Sequence, residues 1–232
     1  MSIYSGYKYK RPRKRIRVSL FAIVVVLISI AITIFTVNVL AGSGGGGKSA
    51  SARIQLSGLE FNATGTRGLS NKNKAMELAI EMRNNGGAGF VDFDGEWFVI
   101  QEIGAGDLKF SANAVEVSLT DIAHKETFQS IIQSFAENSE TLSAITEKPG
   151  REVAAQANSL YRQLSAKVTE LDSFTPSNAM YSEVLIAANT QLLALFLLTT
   201  EKSENPVPAA VKHSICWINF TYLNLLTTLQ SL

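Results

Sequence analysis

Cysteine and histidine are nearly missing from this chain. One cysteine, Cys216, and two histidines stand among 232 residues. A lone cysteine rules out an intrachain disulfide framework, and so small a stock of Cys and His removes the usual zinc ligand sets. Proline is also scarce, at five residues. Charge is missing altogether from one long stretch, "VSLFAIVVVLISIAITIFTVNVL", Val18 to Leu40. At about 1.5 Å of rise per residue, a helix of this length crosses a hydrocarbon core of roughly 30 Å with some tilt.

The balance of charge is uneven. Residues 1 to 17 carry seven Lys or Arg and no acid, which leaves 14 basic against 20 acidic residues beyond them, a net charge of −6. A basic tail ahead of an apolar span stays in the cytoplasm, so the expected layout is a single-pass anchor at 18–40 with everything after it outside. A cleaved signal peptide ending near Ala41 is the nearest rival, but its apolar core would be shorter than this run. The basic tail is read as an orientation signal, so no nucleic-acid partner is expected. Two Asn-X-Ser/Thr triplets, at Asn62 and Asn219, would matter only in a eukaryotic secretory route.

"AGSGGGGKSASA", Ala41 to Ala52, has the composition of a flexible linker. Within it "GSGGGGKS" spells a phosphate-binding loop, yet it follows a membrane span rather than a buried strand and opens no helix. "RIQLSGLEF", Arg53 to Phe61, alternates apolar and polar residues as a strand does. "NATGTRG" then reads as a loop. "LSNKNKAMELAIEMRNNGG" predicts a helix, capped by Ser70 or Asn71, with Ala75, Leu78, Ala79 and Met82 on one face and Gly86 and Gly87 closing it. "GGAGFVDFDGEWFVIQ", residues 86 to 101, predicts a hairpin turning at Asp94-Gly95. Ala114 to Leu119 suggests one more strand.

A two-residue turn at Asp94-Gly95 sets Asp92 opposite Trp97 and Val91 opposite Phe98. Val91, Phe93, Phe98 and Ile100 then share the face expected to pack on the preceding helix. Phe90, Asp92, Trp97, Val99 and Gln101 share the other. That second face, joined by Gln55 and Ser57 from the first strand, offers an aromatic plate with a polar N–H beside carboxylate, amide and hydroxyl groups. Such a set suits the C–H faces and hydroxyls of a sugar. The alternative is that Trp97 merely packs between domains.

"RIQLSGLEF" followed by "SNKNKAMELAIEMRNNGGAGFVDFDGEWFVIQEIG" resembles the sporulation-related repeat (SPOR) family of bacterial peptidoglycan-binding domains, of the clostridial, membrane-anchored type. The pattern rests on Gln55 and Gly58 in a strand, Ala75 and Leu78 on a helix, and Gly86-Gly87-Ala88-Gly89-Phe90 entering an Asp-Gly hairpin. The resemblance implies a small ferredoxin-like sheet packed on helices, whose open face binds glycan strands stripped of stem peptides, at division septa or in sporulating cells. It implies Gln55, Ser57, Asp92, Trp97 and Gln101 as glycan-binding positions. Two departures are plain: "NATGTRG" is inserted after the first strand, and "EIGAGDLKFSANAVEVSLT" leaves no room for the family's second helix.

From Asp121 the pattern turns helical. Phe128, Ile131, Ile132, Phe135, Leu142 and Ile145 mark one helix; Val153, Ala157, Leu160, Leu164, Val168 and Leu171 a second. Further helices are expected at about 178–200 and 209–229, with prolines at their starts. "VLIAANTQLLALFLL" is interrupted by Asn189 and Gln191, so it reads as a buried helix rather than a second span. Four such segments with short turns predict an antiparallel bundle.

The expected organisation is therefore α+β: a tail at 1–17, a transmembrane helix at 18–40, a linker at 41–52, a SPOR-like domain at 53–119 and a helical bundle at 120–232. His213 and Cys216 lie three apart on one helix, but the thiol sits among apolar neighbours, where it would be inert. The acidic pairs Asp92/Asp94 and Glu137/Glu140 suit turns and solvated faces better than glycosidase work. No catalytic residue, metal or cofactor is expected. The expected protein is a non-enzymatic bacterial envelope protein that binds peptidoglycan, or else an interaction protein whose sheet is a scaffold and whose bundle engages a partner.

Overall fold

The computed structural model describes residues 52–104, 106–119, 124–172 and 179–232. The expected tail, span and linker lie outside the described residues. Strands occupy the first part of the chain: β1 (Ala52–Leu56), β2 (Leu59–Leu69), then helix α1 (Lys72–Asn84), β3 (Phe90–Phe93), β4 (Trp97–Ile103), β5 (Leu108–Ala112) and β6 (Val115–Leu119). Four long helices follow: α2 (Lys125–Ser143), α3 (Gly150–Asp172), α4 (Ala179–Thr199) and α5 (Pro208–Ser231). The fold is α+β, with five helices and two antiparallel sheets among the described residues.

The first expected strand is two strands with a corner between them. β1 pairs with β6 and β2 with β5 in an unbroken register: Leu56 opposes Val115, and three residues on Leu59 opposes Ala112. At the corner a side chain on Gly58 would meet the Ala112 carbonyl oxygen at 2.8 Å and the Ala114 nitrogen at 2.9 Å, so only glycine lets the two chains come this close. Carbonyls that leave the ladder there need other partners. Helix α5 supplies two: the Tyr222 hydroxyl donates to Ser57 O at 2.8 Å, and Gln230 Nε2 donates to Asn113 O at 3.1 Å.

"NATGTRG" is not the loop its glycines and threonines suggest. It forms most of β2, held between β4 and β5 in a four-stranded sheet of order β3-β4-β2-β5, with register shifts at Thr64/Gly65 and Thr66/Leu69. Pairing with β5 up to Ala63 and with β4 from Ala63 onward, together with the wholly buried Ala63, outweighs the weak strand preference of Gly and Asn. β5 also lies in a stretch where the sequence offered only one insecure strand.

The hairpin differs from expectation by one residue. Phe93 opposes Trp97, Asp92 opposes Phe98 and Phe90 opposes Ile100, so the loop is Asp94-Gly95-Glu96, with Gly95 at φ +73°. A three-residue loop with glycine in the left-handed region is the next commonest hairpin connection. Arg67 on β2 holds it from outside, near Asp94 at 3.6 Å and Glu96 at 3.4 Å. One residue of slip moves a side chain to the other face. Phe98 and Ile100 therefore join Phe90 and Asp92, whereas Trp97 and Val99 join Val91, Phe93 and Gln101.

Each face meets a different helix. α1, capped by the Asn71 side chain accepting from the Lys74 N–H at 3.0 Å, lays Ala75 and Ala79 on Val99, with Val91, Trp97 and Leu69 around them. On the opposite face Phe90, Phe98, Ile100, Phe110 and Ala63 close around Phe220 and Cys216 of α5. Phe220 lies 4.8 to 5.6 Å, ring to ring, from Phe61, Phe90, Phe98 and Phe110. The expected contact of Phe98 and Ile100 with α1 is thus corrected: aromatic burial against α5 takes them.

The β1–β6 ribbon buries only one face. Ile54, Leu56, Val115 and Val117 enter the main core beneath α2 and α5, and Arg53, Gln55, Glu116 and Ser118 stay exposed. In that core α2, α3, α4 and α5 each pack on the next, and α5 returns onto α2. The helix bounds fall within a few residues of those read from periodicity. α4 is, among the described residues, the one helix long and apolar enough to cross a membrane, and half of its most apolar window is buried in this core. Its wholly buried Gln191 is satisfied across the bundle, with Nε2 donating to Ser134 O at 2.9 Å.

Candidate functional site

The five residues expected to share a sugar-binding face do not share one. Gln55 stands exposed on β1 opposite Glu116, in the two-stranded ribbon. Ser57 sits at the corner, its carbonyl held by Tyr222, whose hydroxyl burial pushes up to about 12. Asp92 belongs to the face that meets α5. Trp97 and Gln101 belong to the face that meets α1, where Trp97 is half-buried, 5.0 Å from the Phe93 ring and with Lys72 Nζ 5.8 Å from its centroid. Gln101 holds the chain before β3, its carbonyl accepting from the Ala88 N–H at 2.7 Å.

Two grooves run along strand edges instead. The first, about 450 Å³, lies at the outer edge of β3 between α1 and α5, lined by Met76, Arg83, Phe90, Asp92, His213, Trp217 and Asn224 among others. Met76, Ile80 and Arg83 follow one another at helical spacing on the exposed side of α1, and Met76 and Ile80 are 45% and 57% exposed. Trp217 is half-buried, and His213 approaches it edge-on at 6.1 Å between rings.

Arg83 organises this groove. Its Nε donates to Ala88 O at 3.2 Å and its Nη2 to Gly89 O at 3.0 Å, fixing the turn from α1 into β3. The same Nη2 lies 3.1 Å from His213 Nδ1. The same ring nitrogen lies 3.1 Å from the Ala88 carbonyl oxygen, so Nδ1 either accepts from Arg83 with its lone pair or donates to Ala88. Burial above all, then the Arg83 charge, holds the His213 pKa below its ordinary value. Asp92 moves the other way: burial raises its carboxyl, against a bond from the Phe93 N–H to Oδ1 at 2.8 Å, with Asp94 nearby adding to the rise.

The second groove, about 630 Å³, follows the ribbon. Six consecutive residues, Ile54 to Leu59, form one wall, and a stripe of α2 running from Gln129 to Ser143 forms the other, with Asn219 and Tyr222 at the end. No residue of β6 lines it, so it runs along the edge of β1 that faces away from β6.

Chemically, the first groove combines aromatic surface with a guanidinium, a carboxyl, an imidazole and an amide. The second combines a strand edge with amides and carboxylates. Cys216 is wholly buried and that burial pushes its thiol pKa up, which keeps the thiol protonated and unreactive. Among the described residues no group of three His, Cys, Asp or Glu side chains is placed to hold a metal ion.

Sequence reasoning reached Asp92 but missed Trp217, Arg83 and Asn224. Trp217 reads as core within "SICWINF". Only the slot left between α1 and α5 makes it a groove wall, and no periodicity announces that slot. No known protein family, curated protein or solved structure matches the chain.

Proposed function

We propose that this chain is a non-enzymatic bacterial envelope protein, anchored by residues 18–40 with its tail in the cytoplasm and its folded part outside. In this reading residues 53–119 are a reduced SPOR-like sheet that serves as a scaffold, and the helical bundle of 120–232 carries the interaction with a partner. One observation supports the scaffold role: over the hairpin strands β3 and β4 both faces of the four-stranded sheet are occupied, by α1 on one side and by Phe220 and its neighbours on α5 on the other. A sugar chain stacks on an open aromatic face, and the stretch of this sheet that stays open beside α1, over β2 and β5, carries Glu60, Asn62, Lys109 and Ser111 instead.

A second reading keeps peptidoglycan as the partner but moves the contact. The β3-edge groove holds Trp217 with Asp92, Asn224 and Arg83, an aromatic wall with donors and acceptors suited to an acetamido sugar. Denuded glycan strands, as at septa or in sporulating cells, would then bind at the sheet's edge.

Co-sedimentation of the full-length chain in neutral detergent with bacterial sacculi, before and after an amidase removes the stem peptides, separates the two. The scaffold reading expects no gain on denuded sacculi, and no difference among wild type, Trp97→Ala and Trp217→Ala. Enrichment on denuded sacculi that Trp217→Ala abolishes would replace it with the second reading. Enrichment lost in a folded Trp97→Ala variant would restore the face expected from the sequence.

A further inference from the structure

The groove beside β1 has a backbone for one wall. β1 pairs with β6 alone among the described residues, so its other edge presents N–H and C=O groups that no strand covers. Exposed edges of this kind are usually blunted by charge, proline or a bulge, because they accept further strands. Here the edge of β1 is left open as far as Leu56, and the groove continues past it to the corner, where the Ser57 carbonyl is already held by Tyr222. Its only charged side chain among the described residues, Arg53, is engaged across the ribbon with Glu116 at 3.2 Å.

The opposite wall sets the chemistry of what fits. Ile132, Phe135 and Ala136 of α2 make an apolar floor beside Ile54 and Leu56, and Tyr222 closes the end. Above the floor stand Glu137 and Glu140, both exposed and neither in an ion pair among the described residues. No lysine or arginine lines the groove. Two uncompensated carboxylates facing a bare strand edge favour a cationic occupant and disfavour an anionic one.

We propose that the groove between β1 and α2 takes an extended, lysine- or arginine-bearing peptide segment of a partner protein, added as a strand to the edge of β1. Backbone bonds along β1, up to Leu56, would supply affinity. Alternate side chains would point onto the apolar floor, and the basic ones would meet Glu137 and Glu140. Gln55 thus regains a binding role, through its main chain and for peptide rather than sugar. The inference rests on the scaffold reading above and gives its partner a chemistry.

The test is fluorescence anisotropy with the full-length chain in neutral detergent and labelled eight-residue probes. One probe alternates valine and lysine, a second alternates valine and glutamate, and a third repeats the first with alternate backbone nitrogens methylated. The valine–lysine probe is expected to bind at least about tenfold more tightly than the other two. The surface change Glu137→Gln with Glu140→Gln is expected to weaken it about fivefold, and added salt to weaken it further. Absence of binding, or binding indifferent to both methylation and the double substitution, overturns the proposal. So does self-association of the chain that displaces the probe, which would seat a second copy there. The sacculus assay fails separately: glycan retention through Trp217 removes the scaffold reading without touching this groove, and loss of peptide binding opens no sheet face to sugar.

Discussion

The two sheets share no strand, but one register runs from β1–β6 into β2–β5, and the two live under different rules. The β2–β5 half is built into four strands with a helix on each face, and its interior is aromatic. The β1–β6 half keeps two strands, one buried face and an edge open to a groove. Where helices cover both faces of the hairpin strands, the edge of β3 is what is left for recognition. A ribbon that gives one face to a helical core still offers the other face and an edge. The residues that carry the sequence resemblance fall on both sheets, Gln55 on the ribbon and the hairpin on the four-stranded sheet.

The sharpest way to break the contrast is to remove its keystone ring. Phe220→Ala, at a site 3% exposed and touching four phenylalanines, is expected to lower unfolding free energy by about 3–5 kcal/mol in urea titration. Hydrogen exchange in that variant should quicken in β3 and β4 before β1 and β6 if the halves differ as described. Leu56→Ala probes the one-sided ribbon, where the open face lets neighbours settle. A loss of about 2–3 kcal/mol is expected, with exchange quickening first in β1 and β6.

Acid is a gentler probe and acts on the four-stranded half. His213 has a folded pKa below its ordinary 6.5, so the unfolded chain binds the proton first. Stability should be full above pH 6.5 and fall as the pH drops from there to the folded value. Asp92 works against this trend: its raised carboxyl takes up a proton in the folded state first, so it gains as pH falls through its own folded value toward 3.8. His213→Gln should remove the decline just below pH 6.5. A slope unchanged in that variant would assign it elsewhere.

The long helices were legible because their periods are, and α1 announced its own start through Asn71. The hairpin was legible as a hairpin, but its register was not. Asp-Gly fits a two-residue turn, and only the demand of Phe220 for Phe98 shows why the loop takes three. β2 escaped notice because strand character in "NATGTRG" comes from neighbours on both sides and not from its own residues. The site was hidden for a related reason. Whether Trp97 or Trp217 borders a groove depends on where α5 docks, and that contact joins residues more than a hundred positions apart in the chain.

One feature of the ribbon bears on mechanics. Ala52 and Leu119 are partners at the same end of β1 and β6, so the chain enters and leaves the strand region side by side. A pull on the chain ahead of Ala52, resisted by the helices after Leu119, meets the pairs of that ladder one at a time, as a zipper does, rather than all together. Beyond Gly58 the same register continues into β2 and β5, where β4 also holds β2. In a tethered protein such a ribbon is a fuse: tension would peel β1 from β6 first, remove a wall of the groove beside it and leave the four-stranded sheet whole.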